Sequence, residues 1–166
     1  MMKKLVSTLA VLVASASVAN AAQYLQASSS VTQCPGTAPT LVEMDIIDAA
    51  EGVTLANNQI SVGEAGPYLI VAAPQVGREG GGPYGCFDLW LRINGADVAN
   101  SNVQLCQDEG SMAKDVIISQ GIVPMEAGDM LEVMMSASNP EANICIEAIQ
   151  PAGEPLVPAI IFSMIK

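Results

Sequence analysis

The feature that most constrains this chain is how its apolar residues are parcelled. From Leu41 onward they come in short runs, broken by Gly, Pro, Asn and Asp at intervals of roughly 8–15 residues. No window sustains a helical period over about 12 residues. Runs of this length and spacing belong to an all-β sandwich or barrel. They cover 41–47, 53–55, 59–62, 68–73, 86–93, 103–106, 115–122, 130–136, 144–149 and 159–165, which predicts about ten strands. Asn57-Asn58 and Asn94-Gly95 mark tight turns, because these residues tolerate positive φ.

The period of two assigns faces. In 86–93, Phe87, Leu89, Leu91 and Ile93 share the core face, which leaves Cys86, Asp88, Trp90 and Arg92 outward. In 130–136, Leu131, Val133 and Met135 point inward and Glu132 outward. Two runs do not alternate: 68–73 (YLIVAA) and 159–162 (AIIF) are apolar on both faces. A strand buried on both faces needs cover on its second side. In a two-layer sandwich that cover is another subunit or an extra segment; the alternative is a monomer capped by its own loops.

The N-terminus constrains location. Lys3-Lys4 precede an apolar run from Leu5 to about Val13 and a small-residue stretch ending Ala19-Asn20-Ala21. This is the layout of a secretory signal peptide over 1–21. The run is shorter than the roughly 20 residues that span a bilayer, so a membrane anchor is the weaker reading. No later stretch is a candidate span, and no stable membrane insertion is expected. Residues 22–40, rich in Ser, Thr, Gln, Ala and Pro, read as an arm or linker, and 41–166 as the folded domain.

After residue 21, four basic side chains (Arg78, Arg92, Lys114 and Lys166) stand against 17 acidic ones, a net charge of −13. Such a surface repels phosphate backbones, so nucleic acid is not an expected partner. The chain has no histidine, which removes Ser-His-Asp and Cys-His nucleophiles and His-based metal sites. Calcium, which takes six to eight oxygens, has weak candidates in Asp108-Glu109 and in Asp45 with Asp48, but no Asp-x-Asp-x-Asp-Gly loop occurs. No other cofactor is implied. The glycine-rich stretch 77–85 lacks the lysine and following helix of a phosphate cradle and reads as a flexible surface loop able to contact a ligand. Glu64-Ala65-Gly66 and Glu126-Ala127-Gly128-Asp129 read as turns that open strands. Trp90 and Arg92 are the best surface candidates for a binding patch or a subunit contact. The four cysteines (Cys34, Cys86, Cys106 and Cys145) fit two disulfides in an exported protein, with three pairings open.

Several segments together resemble the C1q/tumour-necrosis-factor-like jelly roll, especially C1q-like domains of microbial and viral proteins. ISVGEAGPYLI, from Ile60 to Ile70, is similar to the family's apolar strand, Gly-x-Tyr and second strand. LWLRING, from Leu89 to Gly95, resembles the next strand and turn. EAGDMLEV, from Glu126 to Val133, resembles its Gly-Asp segment, with Met125 where leucine is usual. IIFSMIK, from Ile160 to Lys166, looks like the closing core strand. The likeness covers about 41–166, and no collagen stalk precedes it.

The resemblance implies a two-sheet antiparallel jelly-roll sandwich and a homotrimer whose inner sheets meet on the threefold axis. There Tyr68, Ile70, Ile161 and Phe162 would lie at the interface, with Trp90 and Arg92 on an outer patch. It also orders the cysteines as Cys86 with Cys106 and Cys34 with Cys145. Closing loops of those lengths contributes about 3 and about 5 kcal/mol. The expected function is a secreted, non-enzymatic C1q-like domain that self-assembles and serves surface binding, adhesion or extracellular matrix through an unspecified surface ligand. The alternatives are a fibre or pilus-like subunit that donates its N-terminal segment as a strand and, more remotely, a carboxylate-dependent glycosidase.

Overall fold

The computed structural model describes residues 22–166; the signal-peptide reading lies outside the described residues. Among the described residues fourteen strands form two antiparallel sheets, and one 3-10 turn lies outside them. The first sheet is built on β6 (Gly66–Gly77). One edge of β6 pairs with β10 (Asp115–Val116) and β11 (Ser119–Met125), the other with β13 (Cys145–Ile146) and β14 (Ile160–Ile165). Beyond β14 lie β1 (Tyr24–Ser28) and β3 (Ile46–Glu51). The second sheet runs β4 (Val53–Ala56), β5 (Gln59–Val62), β12 (Met130–Ala137), β7 (Gly85–Ile93) and β8 (Ala96–Asp97). Here β2 (Thr40–Leu41) pairs with β12, and β9 (Val103–Gln107) with β7.

Local chemistry explains the hairpins. The β4–β5 turn places Asn57 and Asn58 at φ 52° and 62°. The β7–β8 turn places Asn94 and Gly95 at 50° and 81°. Two consecutive residues at positive φ give a reversal whose twist matches that of the flanking strands. The core lies between the sheets. From the first come Leu25, Ala27, Tyr68, Ile70, Ala72, Phe162 and Met164; from the second, Ile60, Val62, Phe87, Leu89, Leu91, Leu131, Val133 and Met135. The alternation read in β7 and β12 is therefore the one that packs.

Two expectations are corrected. Residues 22–40 are not an arm: β1 sits inside the first sheet, hydrogen-bonded to β14 on one side and β3 on the other, with Leu25 and Ala27 in the core. The residues from 41 to 47 are not one strand. They cross between sheets, with Thr40–Leu41 on the second and Ile46 and Ile47 on the first. Val42 and Met44 are buried during the crossing, which is why the run is apolar.

Candidate functional site

Neighbouring strands place their outward side chains in rows across the first sheet. Tyr24 stands opposite Ile165, Ile165 opposite Leu69, and Leu69 opposite Ile122. Ile165, Leu69 and Ile122 are 53%, 46% and 74% exposed. The next row, Gln26–Ser163–Val71–Gln120, is mixed. The row after it places Ile161, 45% exposed, opposite Ala73. A depression of about 300 Å³ runs across this face between Tyr24, Ala49, Leu69, Val71 and Ile165.

This corrects part of the expected interface. Ile161 does point outward. Tyr68, Ile70 and Phe162 are fully buried in the subunit's own core, and the outward positions are Leu69, Val71 and Ile165. The Tyr68 hydroxyl donates to the carbonyl of Glu64 at 2.8 Å, and burial pushes its phenol above the ordinary range.

The outward face of the second sheet is finished differently. Trp90 Nε1 and Arg92 Nε both donate to Asp97 Oδ1 at 2.8 Å. The Arg92 bond first, and the indole N–H second, hold the Asp97 carboxyl below the usual carboxylate range. Asn102 and Gln104 donate to Asp88, and Gln59 donates to Glu132 at 2.7 Å. Arg92 and Glu132 are opposite one another on neighbouring strands.

The disulfides join Cys34 to Cys145 and Cys86 to Cys106. The second ties β7 to β9 within one sheet, where Cys86 and Cys106 are cross-strand partners. The first fastens the residues after β1 to β13, beside the Gln33–Ile146 bridge.

Among the calcium candidates, the carboxylate of Asp45 is engaged, whereas Asp108 contributes only its backbone carbonyl to a neighbour. Asp45 accepts from the hydroxyl and backbone N–H of Ser30, which in that order lower its carboxyl. Asp108 uses its carbonyl to bind Arg78. No three His, Cys, Asp or Glu side chains converge among the described residues.

Arg78 is the residue that sequence reading missed. It is 1% exposed, the largest fully buried side chain among the described residues. Its guanidinium donates to the carbonyls of Ser111 (2.7 Å), Pro83 (2.9 Å), Ala142 (3.0 Å) and Asp108. The glycine-rich stretch lies at the surface, with Glu79, Gly80 and Gly81 exposed, and its Pro83 carbonyl is bound into this centre. A Cβ on Gly82 would lie 2.9 Å from the Ala142 oxygen and 3.0 Å from the guanidinium, so only glycine fits there. The signal that could have found it was a lone arginine amid glycines at the end of an apolar strand.

The two sheets, their strand order and the core between them define a jelly roll of the tumour-necrosis-factor type. A comparison with solved structures gives the same fold: the crystal structure of murine APRIL at pH 5.0 aligns with a TM-score of 0.52 at 14% identity. The alignment covers 88% of this chain and 99% of that one. No protein-family model matches the chain, and no curated protein sequence matches it.

Proposed function

We propose that this chain is a secreted, non-enzymatic C1q/TNF-like module that self-assembles as a homotrimer through the outward face of its first sheet. It would present the remaining surface for binding, adhesion or matrix formation. The observation that carries this reading is the row Tyr24–Ile165–Leu69–Ile122, apolar across four strands and left in water by a single subunit. Covering such side chains contributes on the order of 1–2 kcal/mol each. Val116 and Ile118, on and just after β10, are also exposed.

The two disulfides support an oxidising compartment. Strand donation has less support, because the segment it would use is already paired on both edges within its own chain. Multi-angle light scattering of the secreted protein at micromolar concentration tests assembly. The expected mass is three subunits; a monomer mass would overturn the reading.

A further inference from the structure

We infer that the outward cleft of the second sheet is a binding site for a neutral carbohydrate. The cleft has a volume of about 450 Å³ and is lined by Asp88, Trp90, Asp97, Asn100, Asn102 and Ser136. Trp90 is the single tryptophan of the chain. It stands half-buried on β7, directed away from the core, with Met134 as its cross-strand neighbour. Its N–H is bound by Asp97, which fixes the indole by one edge.

The polar groups around it divide into two kinds. The first kind is already committed. Asp97 Oδ1 holds both Trp90 and Arg92, and Asp88 Oδ1 is held by Asn102 and Gln104 at 3.1 Å. These bonds immobilise the carboxylates before any ligand arrives. The second kind is free. Asp97 Oδ2, the Asn100 amide, Asn102 Oδ1 and Ser136 Oγ make no hydrogen bond to another described residue, yet they share the cleft.

That inventory matches a polyhydroxylated ring. Each sugar hydroxyl both donates and accepts. A carboxylate oxygen supplies acceptors, an amide supplies both functions, and a serine hydroxyl turns to suit. The C–H face of a pyranose is apolar and weakly positive, and it complements the negative face of an indole. Small-molecule sites fix the orientation of their ligand with a small number of placed polar groups. Two carboxylates against one guanidinium disfavour a sulfated or carboxylated sugar.

The inference supplies a ligand class for the proposed binding function but does not depend on the trimer. The cleft is on the opposite side of the sandwich from Leu69 and Ile161. In an assembly made through the first sheet, every copy would face outward, so weak sites would gain avidity from a surface glycan.

The test uses Trp90 as its own reporter, because no other tryptophan contributes to the emission. The full secreted protein is titrated with glucose, galactose, mannose and N-acetylglucosamine, and binding is confirmed by isothermal titration calorimetry. At least one sugar is expected to shift the emission saturably in the millimolar range. Asn100→Gly, which keeps the positive φ of 62° that Asn100 adopts, and Ser136→Ala should each weaken that binding about fivefold, the equivalent of one hydrogen bond. Trp90→Phe should weaken binding while retaining a stacking face. Circular dichroism should be unchanged for all three variants. The inference is overturned if none of the four sugars binds, if binding persists undiminished in Asn100→Gly and Ser136→Ala, or if EDTA abolishes it, which would indicate a cation site. Light scattering on the same samples keeps the outcomes apart: a trimer that ignores sugars sinks only the cleft, and a monomer that binds them sinks only the assembly.

Discussion

The two outward faces of this sandwich come from the same period-two rule but are finished in opposite ways. On the second sheet the outward side chains bind one another: Trp90 and Arg92 to Asp97, Asn102 and Gln104 to Asp88, Gln59 to Glu132. On the first sheet the row Tyr24–Ile165–Leu69–Ile122 is apolar across four strands, bounded by Glu51 opposite Tyr24 and by the mixed row Gln26–Ser163–Val71–Gln120. A polar face solvates itself and needs nothing further. An exposed apolar row of this extent is the observation on which the proposed trimer contact rests. Under the proposed assembly, the difference would separate the surface that builds the trimer from the one that it displays.

The strongest way to break this comparison is to charge the apolar row. Leu69→Glu puts a carboxylate at the centre of the proposed contact in every subunit. Complete loss of the trimer peak in light scattering is expected, with the subunit's circular dichroism unchanged. Asn102→Glu, the matching insult on the second sheet, should leave the mass alone. If both variants behave alike, the two faces do not differ in the way proposed.

A smaller effect comes from the disulfides, which lie one on each sheet. Removing Cys34–Cys145 with paired Ser substitutions releases a loop with a sequence separation of 111. It should cost about 5 kcal/mol in a denaturant titration. Removing Cys86–Cys106, with a separation of 20, should cost about 3 kcal/mol. The first loss loosens the chain following β1 and should also weaken assembly. The second should spare assembly and alter Trp90 emission instead.

The smallest effect sharpens the electrostatic half of the contrast. The carboxyls of Asp45, Asp97 and Asp129 are lowered in the folded protein, the last by the Glu126 N–H and then the Asn94 amide. Carboxyls lowered by folding stabilise the native state above their ordinary pKa, near 3.8, and lose that contribution as pH falls through the depressed values. All three are solvent-exposed or nearly so, which keeps each effect small. Melting temperature should therefore fall modestly below about pH 4. Asp97→Asn and Asp129→Asn should each flatten the fall without changing the oligomer mass.

Legibility in the sequence followed how much of each pattern was local. In β7 and β12 apolar and polar residues alternate, so the inward set could be named from sequence. The Asn57-Asn58 and Asn94-Gly95 turns were visible for the same reason. In β6 and β14 both parities are apolar, so the period of two could not choose between them. Cross-strand register chooses: Phe162 lies between Ala27 and Ala72, where its ring fits over small neighbours facing the core. This sends Leu69 and Ile161 outward and Tyr68 and Ile70 inward.

β1 was missed because YLQAS has only two residues that mark a core face, and one is alanine. Its place inside the sheet is decided by partners far along the chain. The cleft is half legible: Trp90 and Arg92 read as surface residues from the period of two, but Asn100 and Asn102, before β9, and Ser136, on β12, are brought beside Trp90 only by the sheet.

Arg78 has a consequence for how such a molecule can vary. Its side chain takes carbonyls from Pro83, Asp108, Ser111 and Ala142, so three stretches of chain end on one charge. A residue inserted into any of them would pull a carbonyl away and strand a buried cation among the rest. At the opposite end of β7, the Asn94-Gly95 turn is tied only by exposed contacts such as Asn94 to Asp129. One pole of the sandwich is therefore a keystone that resists remodelling. The other is open ground, where loops can lengthen or take grafted sequence while the frame beneath them stays intact.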